Sequence, residues 1–192
     1  MKLPKFTGTS PVELGQHNML VALLALHLFG HVRRTELMHL LWPDQSAESR
    51  NVSASRLFKR MEDAGLIDRK LNGLGSISYV LSLKGARIAS PHVPEVVSSG
   101  APIRGMQGGT FFHRTLGTAW LIRKLLEGLD VYGEYALGAN THPYRQADLR
   151  RKYGKLPDGL ILRPHDNSDG SQILLADWLE VESSHKLSLI HI

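Results

Sequence analysis

The sequence predicts an α/β protein of the α+β kind, with a helical N-terminal half that ends in a β-hairpin and a C-terminal half in which a long helix precedes strands. Before residue 65, apolar residues recur at helical spacing, and alternating residues then flank a glycine-bearing turn. After residue 109, another helical segment is followed by short apolar runs. Residues 90–109, with three prolines and four glycines, predict a linker between the halves.

Composition favours a globular protein with a polyanionic partner. Of the 192 residues, 42% are hydrophobic and 21% are charged, and the formal net charge is +5. The absence of cysteine excludes disulfides and thiolate metal sites and fits a reducing compartment. The apolar run at 19–29 is too short to span a bilayer, and no secretory signal pattern is visible at the start. We therefore expect a cytoplasmic protein without a membrane partner.

Helices dominate the predicted first half. They are expected at residues 11–29, 35–42 and 46–64. Gly30, Pro43 and Gly65 follow them and end them, because glycine caps helices and proline interrupts them. In the third helix, Leu57, Met61 and Ala64 are spaced to form one buried face, with Ser46 as the N-cap.

A β-hairpin is predicted after the third helix. Residues 66–70 and 77–81 flank the turn LNGLGS, and LSLKGARIA at 81–89 predicts a short closing helix. Three helices followed by a hairpin resemble the winged helix-turn-helix family over residues 10–89. The segments RLFKRMEDAGLIDRK and SYVLSLKGARIA are similar to that family's usual sequence pattern.

The resemblance implies that the third helix enters the major groove of duplex DNA and that the hairpin, the wing, contacts the DNA backbone. Phosphate contacts are then expected from the basic residues Arg50, Arg56, Lys59, Arg60, Arg69 and Lys70. Base edges are within reach of the polar residues Asn51, Ser53 and Ser55. The alternative is that the basic face is only solvated and that the module mediates protein contacts or dimerisation.

One helix and three strands are predicted in the second half. The helix covers residues 110–129, with Phe112, Leu116, Ala119 and Trp120 on a single buried face. The strands are expected at residues 131–138, 156–163 and 172–183.

Acidic residues on two of these strands predict a metal site. Glu180 and Glu182 are two residues apart and therefore project from the same face of a strand. Their like charges repel each other unless a cation lies between them or water solvates them well. If the strand that follows Asp158 pairs with theirs, three carboxylates meet, and such oxygen ligands suit Mg²⁺ or Mn²⁺. The alternative is an edge strand whose solvent face happens to be acidic.

The order of helix, strand, Pro-Asp strand and acidic strand resembles the restriction-endonuclease-like superfamily, whose pattern is Pro-Asp followed by Asp/Glu-x-Lys. Pro157-Asp158 matches this pattern, and Glu180-Val181-Glu182 matches it with glutamate in place of lysine. The resemblance implies that Asp158 and Glu180 bind the metal and that Glu182 ligates it or positions a water. Lys186 is then expected to stabilise charge on the scissile phosphate.

A winged helix followed by a nuclease-like domain resembles the replication-relaxation family of plasmids and integrative elements and the nuclease-like mobilisation relaxases. Members carry a histidine in the long helix, matched here by His113, and Glu134 is a second accessory candidate. The resemblance implies a bacterial, metal-dependent DNA nickase that acts with other plasmid replication or mobilisation proteins. The alternative is a non-enzymatic DNA-binding regulator with an inactive nuclease-like domain.

The last six residues, LSLIHI, are predicted to be foreign to the protein. They are encoded by CTG-TCT-CTT-ATA-CAC-ATC, which looks like the transposase mosaic end used to build sequencing libraries. Segments of this kind are left out of fold reasoning. We therefore expect a winged helix at 1–89, a linker at 90–109, an incomplete nuclease-like domain at 110–186 and an adapter-derived tail at 187–192.

Overall fold

The computed structural model describes residues 3–71, 77–93, 108–138, 145–181 and 187–191. These residues form a mixed α/β structure with two antiparallel sheets, which confirms the predicted class at the level of α+β. The chain divides into a first unit over Leu3–Phe111 and a second unit from Phe112 onward. The predicted site residues Glu182 and Lys186 lie outside the described residues, as does most of the predicted wing turn.

Helices begin the first unit, and the three predicted ones are confirmed to within about one residue. The elements are α1 (Pro11–Phe29), β1 (Val32–Arg33), α2 (Arg34–Leu41) and α3 (Ala47–Asp63). Ser10 and Glu13 form a capping box, in which each side chain accepts the backbone N–H of the other. Ser46 is the N-cap of α3, as predicted, and its hydroxyl accepts the N–H of Ser49 at 3.3 Å.

An antiparallel sheet follows α3. Strands β2 (Ile67–Leu71) and β3 (Ile77–Leu81) pair with Ile67 opposite Leu81, which confirms the predicted hairpin. β1 pairs with the other edge of β3, so the order is β1-β3-β2. The sequence did not predict β1, because two residues are too few to display alternation. Helix α4 (Leu83–Ala89) and a 3₁₀ turn (Ser90–His92) follow.

Helix α1 supplies much of the core of the first unit, because all its side chains from 21 to 29 are buried. By length and mean hydropathy alone this helix is able to cross a membrane, yet 50% of its apolar window is buried inside the structure. Helix α4 packs against α1. Gly85 lets α4 approach both α1 and the residue before β2, since a Cβ atom at that position would lie 3.2 Å from a methyl group of Leu23 and 2.0 Å from the backbone oxygen of Leu66.

The second unit contains helices and one sheet. Its elements are α5 (Gly108–Leu126), β4 (Asp130–Gly133), α6 (Glu134–Gly138), α7 (Gln146–Tyr153), β5 (Gly159–Asp166), β6 (Gln172–Val181) and β7 (Leu187–His191). Among the described residues these strands form an antiparallel sheet in the order β4-β5-β6-β7. The strand predicted over 131–138 is therefore wrong in its second half, which is helix α6. Gly133 pairs with Gly159, the first residue of β5, so the pairing of β4 with β5 ends there.

The predicted buried face of α5 is also wrong. Phe112 is exposed, and Leu116, Ala119 and Trp120 are only half-buried. The buried residues of this helix in the second unit include Thr115, Thr118, Leu121 and Ile122. The helix approaches the sheet closely at Gly159, where a Cβ atom would lie 2.8 Å from the Leu121 side chain. Because small residues permit this approach, the buried face does not follow the apolar periodicity.

Strand β7 covers most of the predicted foreign tail. It pairs with β6, with Val181 opposite Leu187 and Asp177 opposite His191. Strand pairing at a sheet edge uses main-chain groups, which almost any sequence provides. The foreign origin of residues 187–192 therefore stays a prediction.

Candidate nucleic-acid surface and candidate acidic site

Helix α3 presents a cationic surface on the first unit. It buries Ala54, Leu57, Phe58 and Met61. Ala64, predicted to share this face, is the residue after the helix and is half-buried. Most of the predicted DNA-contacting residues are exposed: Asn51, Ser55, Arg56, Lys59, Arg60, Arg69 and Lys70. The burial of one stripe therefore leaves the opposite side of α3 open to a ligand.

Side chains of helix α2 form hydrogen bonds with three of the predicted DNA-contacting residues of α3. Arg34 donates from Nη2 to the backbone oxygen of Asn51 at 2.7 Å and to the hydroxyl of Ser55 at 2.6 Å. That hydroxyl in turn donates to the backbone oxygen of Asn51 at 2.9 Å. The half-buried Arg50 contacts Nδ1 of His39 at 2.7 Å. Arg34 and His39 were not predicted from the sequence, because both lie outside the third helix.

Ser53, the remaining predicted base-contacting residue, is half-buried, and its hydroxyl donates to Gln45 at 3.5 Å. Together these contacts show that Arg50, Ser53 and Ser55 have partners inside the protein. Asn51 keeps an exposed side chain, so among the predicted polar residues it is the one best placed to reach an external group.

Three acidic residues of α3, Glu48, Glu62 and Asp63, offset part of the positive charge on this surface. Lys59 pairs with Asp63 at 3.0 Å, but both side chains are mostly exposed, at 77% and 64%. Exposed ion pairs of this kind contribute about 0–1 kcal/mol to stability. The ammonium group of Lys59 is therefore able to leave Asp63 and pair with another anion. Within the described part of the unit, no ion pair engages Arg56 or Arg60. The net result is a solvent-facing cluster of cations.

Asp158 is the best-held carboxylate of the second unit. Its backbone N–H donates to the oxygen of Leu179 at 3.0 Å, and its own carbonyl accepts the N–H of Glu134 at 3.0 Å. Its Oδ2 accepts the N–H of Val181 at 2.7 Å. These bonds fix Asp158 where β5 begins, beside the end of β6 and the start of α6.

Helix α5 contributes His113 to the same place. Its Nδ1 lies 3.4 Å from Oδ1 of Asp158, and its Nε2 donates to the carbonyl oxygen of Val181. His113 therefore contacts both the predicted metal ligand and the strand that carries the second one. The two side chains are 31% and 16% exposed, so solvent has access to the site.

Glu134, the second accessory candidate, is held by an arginine. Arg114 donates from Nε and Nη2 to its two carboxylate oxygens, each at 2.7 Å. This bidentate bond raises the pKa of Arg114 above its ordinary value, with a smaller contribution from the charge of Asp158. Arg114 was not predicted from the sequence, because it follows His113 on a helix whose orientation was predicted wrongly.

Glu180 is paired with Lys155, which was not predicted as a site residue from the sequence. Nζ of Lys155 lies 3.0 Å from its Oε2, and Nε1 of Trp178 donates to its Oε1. Lys155 follows Gly154, which ends α7 with a φ of 78°. A lysine three residues before Asp158 was the available signal, but no local sequence pattern predicts that the chain turns back towards β6.

The environment of Asp158 disfavours its charged form. Burial raises the pKa of Asp158 above its ordinary value, and the charges of Glu180 and Glu134 increase it further. The Val181 N–H and His113 act in the opposite direction. A partly buried carboxylate with a raised pKa and charged neighbours is the kind of group found at functional sites.

Asp158 and Glu180 offer the oxygen donors that Mg²⁺ or Mn²⁺ prefers. The predicted third ligand, Glu182, lies outside the described residues. Within the residues that are described, no group of three or more histidine or acidic side chains is arranged to hold a metal ion. The oxygen donors of Asp158 and Glu180 are thus of the type that suits a divalent cation, but the described residues do not complete a metal site.

No family model, curated protein or solved structure matches the chain.

Proposed function

We propose that the first unit is a winged helix that binds duplex DNA through α3. The observation that carries this proposal is the solvent-facing side of α3, where Arg56, Lys59 and Arg60 are exposed opposite the buried stripe. The element order α1-β1-α2-α3-β2-β3 and the sheet order β1-β3-β2 support it. These elements are the helices and the hairpin that the resemblance to the winged helix-turn-helix family implies.

The chemistry of this surface suits the DNA backbone. The major groove admits an α-helix, and cations on the flanks of that helix then face phosphates. Arg69 and Lys70 on the hairpin are exposed as well and provide the backbone contact expected of a wing. The bonds from Arg34 to Asn51 and Ser55 connect α2 to α3, and we propose that they hold the inserted helix at a fixed angle.

The combined substitution of Arg56→Ala and Lys59→Ala tests this proposal. Both side chains are exposed, so the fold should be preserved. We expect binding of every duplex sequence to weaken by roughly tenfold or more at low salt. The slope of log affinity against log salt should flatten by about two, because two phosphate contacts are lost. Fluorescence anisotropy with labelled duplexes measures both quantities.

A matched control removes the same net charge elsewhere. Arg87→Ala with Arg151→Ala takes two exposed arginines from α4 and α7 and should leave the salt slope unchanged. Equal losses in both double variants would indicate a response to net charge alone. Unchanged binding in the Arg56 and Lys59 variant would exclude α3 as the DNA-contacting element.

For the second unit we propose metal-dependent cleavage of one DNA strand. The supporting observation is Asp158, which is fixed beside β6, has a raised pKa and lies close enough to Glu180 for their charges to interact. Asp158, Glu180 and Glu182 would hold Mg²⁺ or Mn²⁺, which would polarise the scissile phosphate as a Lewis acid. His113 orients the Asp158 carboxylate through its Nδ1 contact.

Lys155 supports this second proposal as well. Its ammonium group lies beside Glu180 and is 61% exposed, so it is able to contact an incoming phosphate. The sequence resemblance assigned that task to Lys186, which lies outside the described residues. We propose Lys155 as a second source of the positive charge that the Glu-x-Glu motif lacks.

The biological setting proposed here is replication or mobilisation of a plasmid or similar element in the bacterial cytoplasm, with other replication or mobilisation proteins as partners. This setting is supported by the sequence resemblance. The competing proposal is a DNA-binding regulator whose nuclease-like domain is inactive. The engagement of both Glu180 oxygens by Lys155 and Trp178 favours the regulator, whereas the raised pKa of Asp158 favours the enzyme.

A further inference from the structure

Val52 is an exposed apolar residue in the middle of a polar helix surface. It is 46% exposed and is the one large hydrophobic side chain exposed among the described residues of α3. A β-branched residue in a helix loses side-chain freedom and is less favourable there than alanine. Val52 is only partly buried, so packing within the unit compensates little for this cost. Its side chain is therefore available to a ligand.

The position of Val52 on α3 indicates which ligand. By helical spacing it lies between Ser49, three residues earlier, and Arg56, four residues later. Both neighbours are exposed, and all three lie away from the buried stripe of α3. The cations Arg56, Lys59 and Arg60 follow in the C-terminal half of the helix. Val52 is thus an apolar group in a surface whose charge is complementary to DNA.

We infer that Val52 packs against the 5-methyl group of a pyrimidine in the major groove. The inference rests on the proposed DNA binding by α3. In helices that enter the major groove, residues of the N-terminal part contact base edges, and apolar side chains there contact the thymine methyl. Val52 occupies that part of α3. It determines sequence preference, whereas Arg56 and Lys59 supply affinity for any sequence.

The neighbouring serine hydroxyls do not compete with Val52 for this base contact, because they have hydrogen-bond partners within the protein. The hydroxyl of Ser55 is engaged by Arg34 and by the backbone oxygen of Asn51. The hydroxyl of Ser49 contacts that of Ser46 at 3.1 Å. Neither hydroxyl therefore needs a base edge as its partner. In the proposed complex the methyl groups of Val52 face the major groove, between these two serines and Arg56.

The experiment uses the full chain and single-methyl changes in DNA. Preferred duplexes are first selected from a random library, and each thymine is then replaced by uracil, which removes only the 5-methyl group. We expect that the change from thymine to uracil at one or two positions lowers the affinity of the wild type about fourfold. This is the effect of losing one methyl group that is buried in the complex. Val52→Ala should bind the thymine and uracil duplexes equally and should match the wild type on the uracil duplex.

Two further arms complete the design. Replacing each cytosine by 5-methylcytosine distinguishes the two natural sources of this methyl group, since a gain in affinity at a cytosine would assign the contact to 5-methylcytosine. Leu83→Ala, at a 60% exposed position on α4, is the control and should keep the wild-type difference between thymine and uracil.

The outcomes separate this inference from the proposed function. The role of Val52 alone would be overturned if the wild type bound duplexes with the same affinity with and without each 5-methyl group. It would also be overturned if the selection yielded no sequence preference. A Val52→Ala protein that still distinguishes thymine from uracil would overturn it as well. An absence of duplex binding by the wild type would reject both the role of Val52 and DNA binding by α3.

Discussion

Asp158→Asn is expected to raise the thermal stability of the protein at pH 7 while abolishing Mg²⁺-dependent nicking. Burial raises the pKa of Asp158 above its ordinary value, so the folded state binds a proton more readily than the unfolded state. Stability therefore falls as pH rises from the ordinary value of 3.8 through the raised folded pKa, and the penalty is complete above that pKa. Asparagine carries no charge and still offers an oxygen to the Val181 N–H, so this penalty disappears.

The loss of activity follows from the loss of an anionic ligand. Wild-type protein should gain thermal stability when Mg²⁺ or Mn²⁺ is added, because a ligand of the folded state alone stabilises it. Asp158→Asn should lose this gain and should not nick supercoiled plasmid, while its affinity for duplex DNA is unchanged. Asp148→Asn, at an exposed aspartate of α7, is the control and should behave as the wild type.

Three results bear on this prediction separately. A wild type with neither metal-linked stabilisation nor cleavage would reject the nuclease proposal and favour the regulator. An Asp158→Asn protein that is less stable at pH 7 than the wild type would show that the carboxylate contributes more through its bonds than it costs through burial. A variant that still nicks plasmid would remove Asp158 from the catalytic group.

Gly85→Ala is expected to destabilise the first unit by about 1–3 kcal/mol, the range for forcing an extra carbon into a packed core. The new Cβ atom would lie 2.0 Å from the backbone oxygen of Leu66 and 3.2 Å from a methyl group of Leu23. The Leu66 oxygen is not free to move, because it accepts the N–H of Ser82 at 3.1 Å. Helix α4 must then shift away from its neighbours, and denaturant unfolding measures the loss.

The control for this prediction is the same substitution on α1. At Gly15 a Cβ atom would meet only the end of the Arg60 side chain, at 3.3 Å, and that flexible group is able to move. Gly15→Ala should therefore be neutral or stabilise by up to about 1 kcal/mol, because alanine is the better helix former. Equal destabilisation by both substitutions would contradict the specific contact at Gly85.

Features set by neighbouring residues could be predicted from the sequence. Ser46 was identified as the N-cap of α3 because the capping bond is local. The exposure of Arg56 and Lys59 followed from the apolar spacing of the same helix. The hairpin was identified for a similar reason, since two short strand-like segments on either side of a glycine-bearing turn favour antiparallel pairing.

Features set by distant residues could not be predicted. The helix at 134–138 depends on where the partner strand begins, because Gly133 pairs with the first residue of β5. The buried face of α5 depends on its close packing against Gly159. The pairing of Lys155 with Glu180 joins residues separated by most of β5 and β6. In each case the determining contact lies far away along the chain.

The most direct test of DNA binding by α3 is the affinity of the full chain for duplex DNA as salt is raised. The measurement is made at one fixed pH near 8, so that the charge of the protein does not vary between salt concentrations. If Arg56, Lys59, Arg60, Arg69 and Lys70 each contact a phosphate, log affinity should fall with log salt with a slope of about −4.5, through release of counterions. A slope near zero, or no binding at low salt, would contradict duplex DNA as the ligand of this surface.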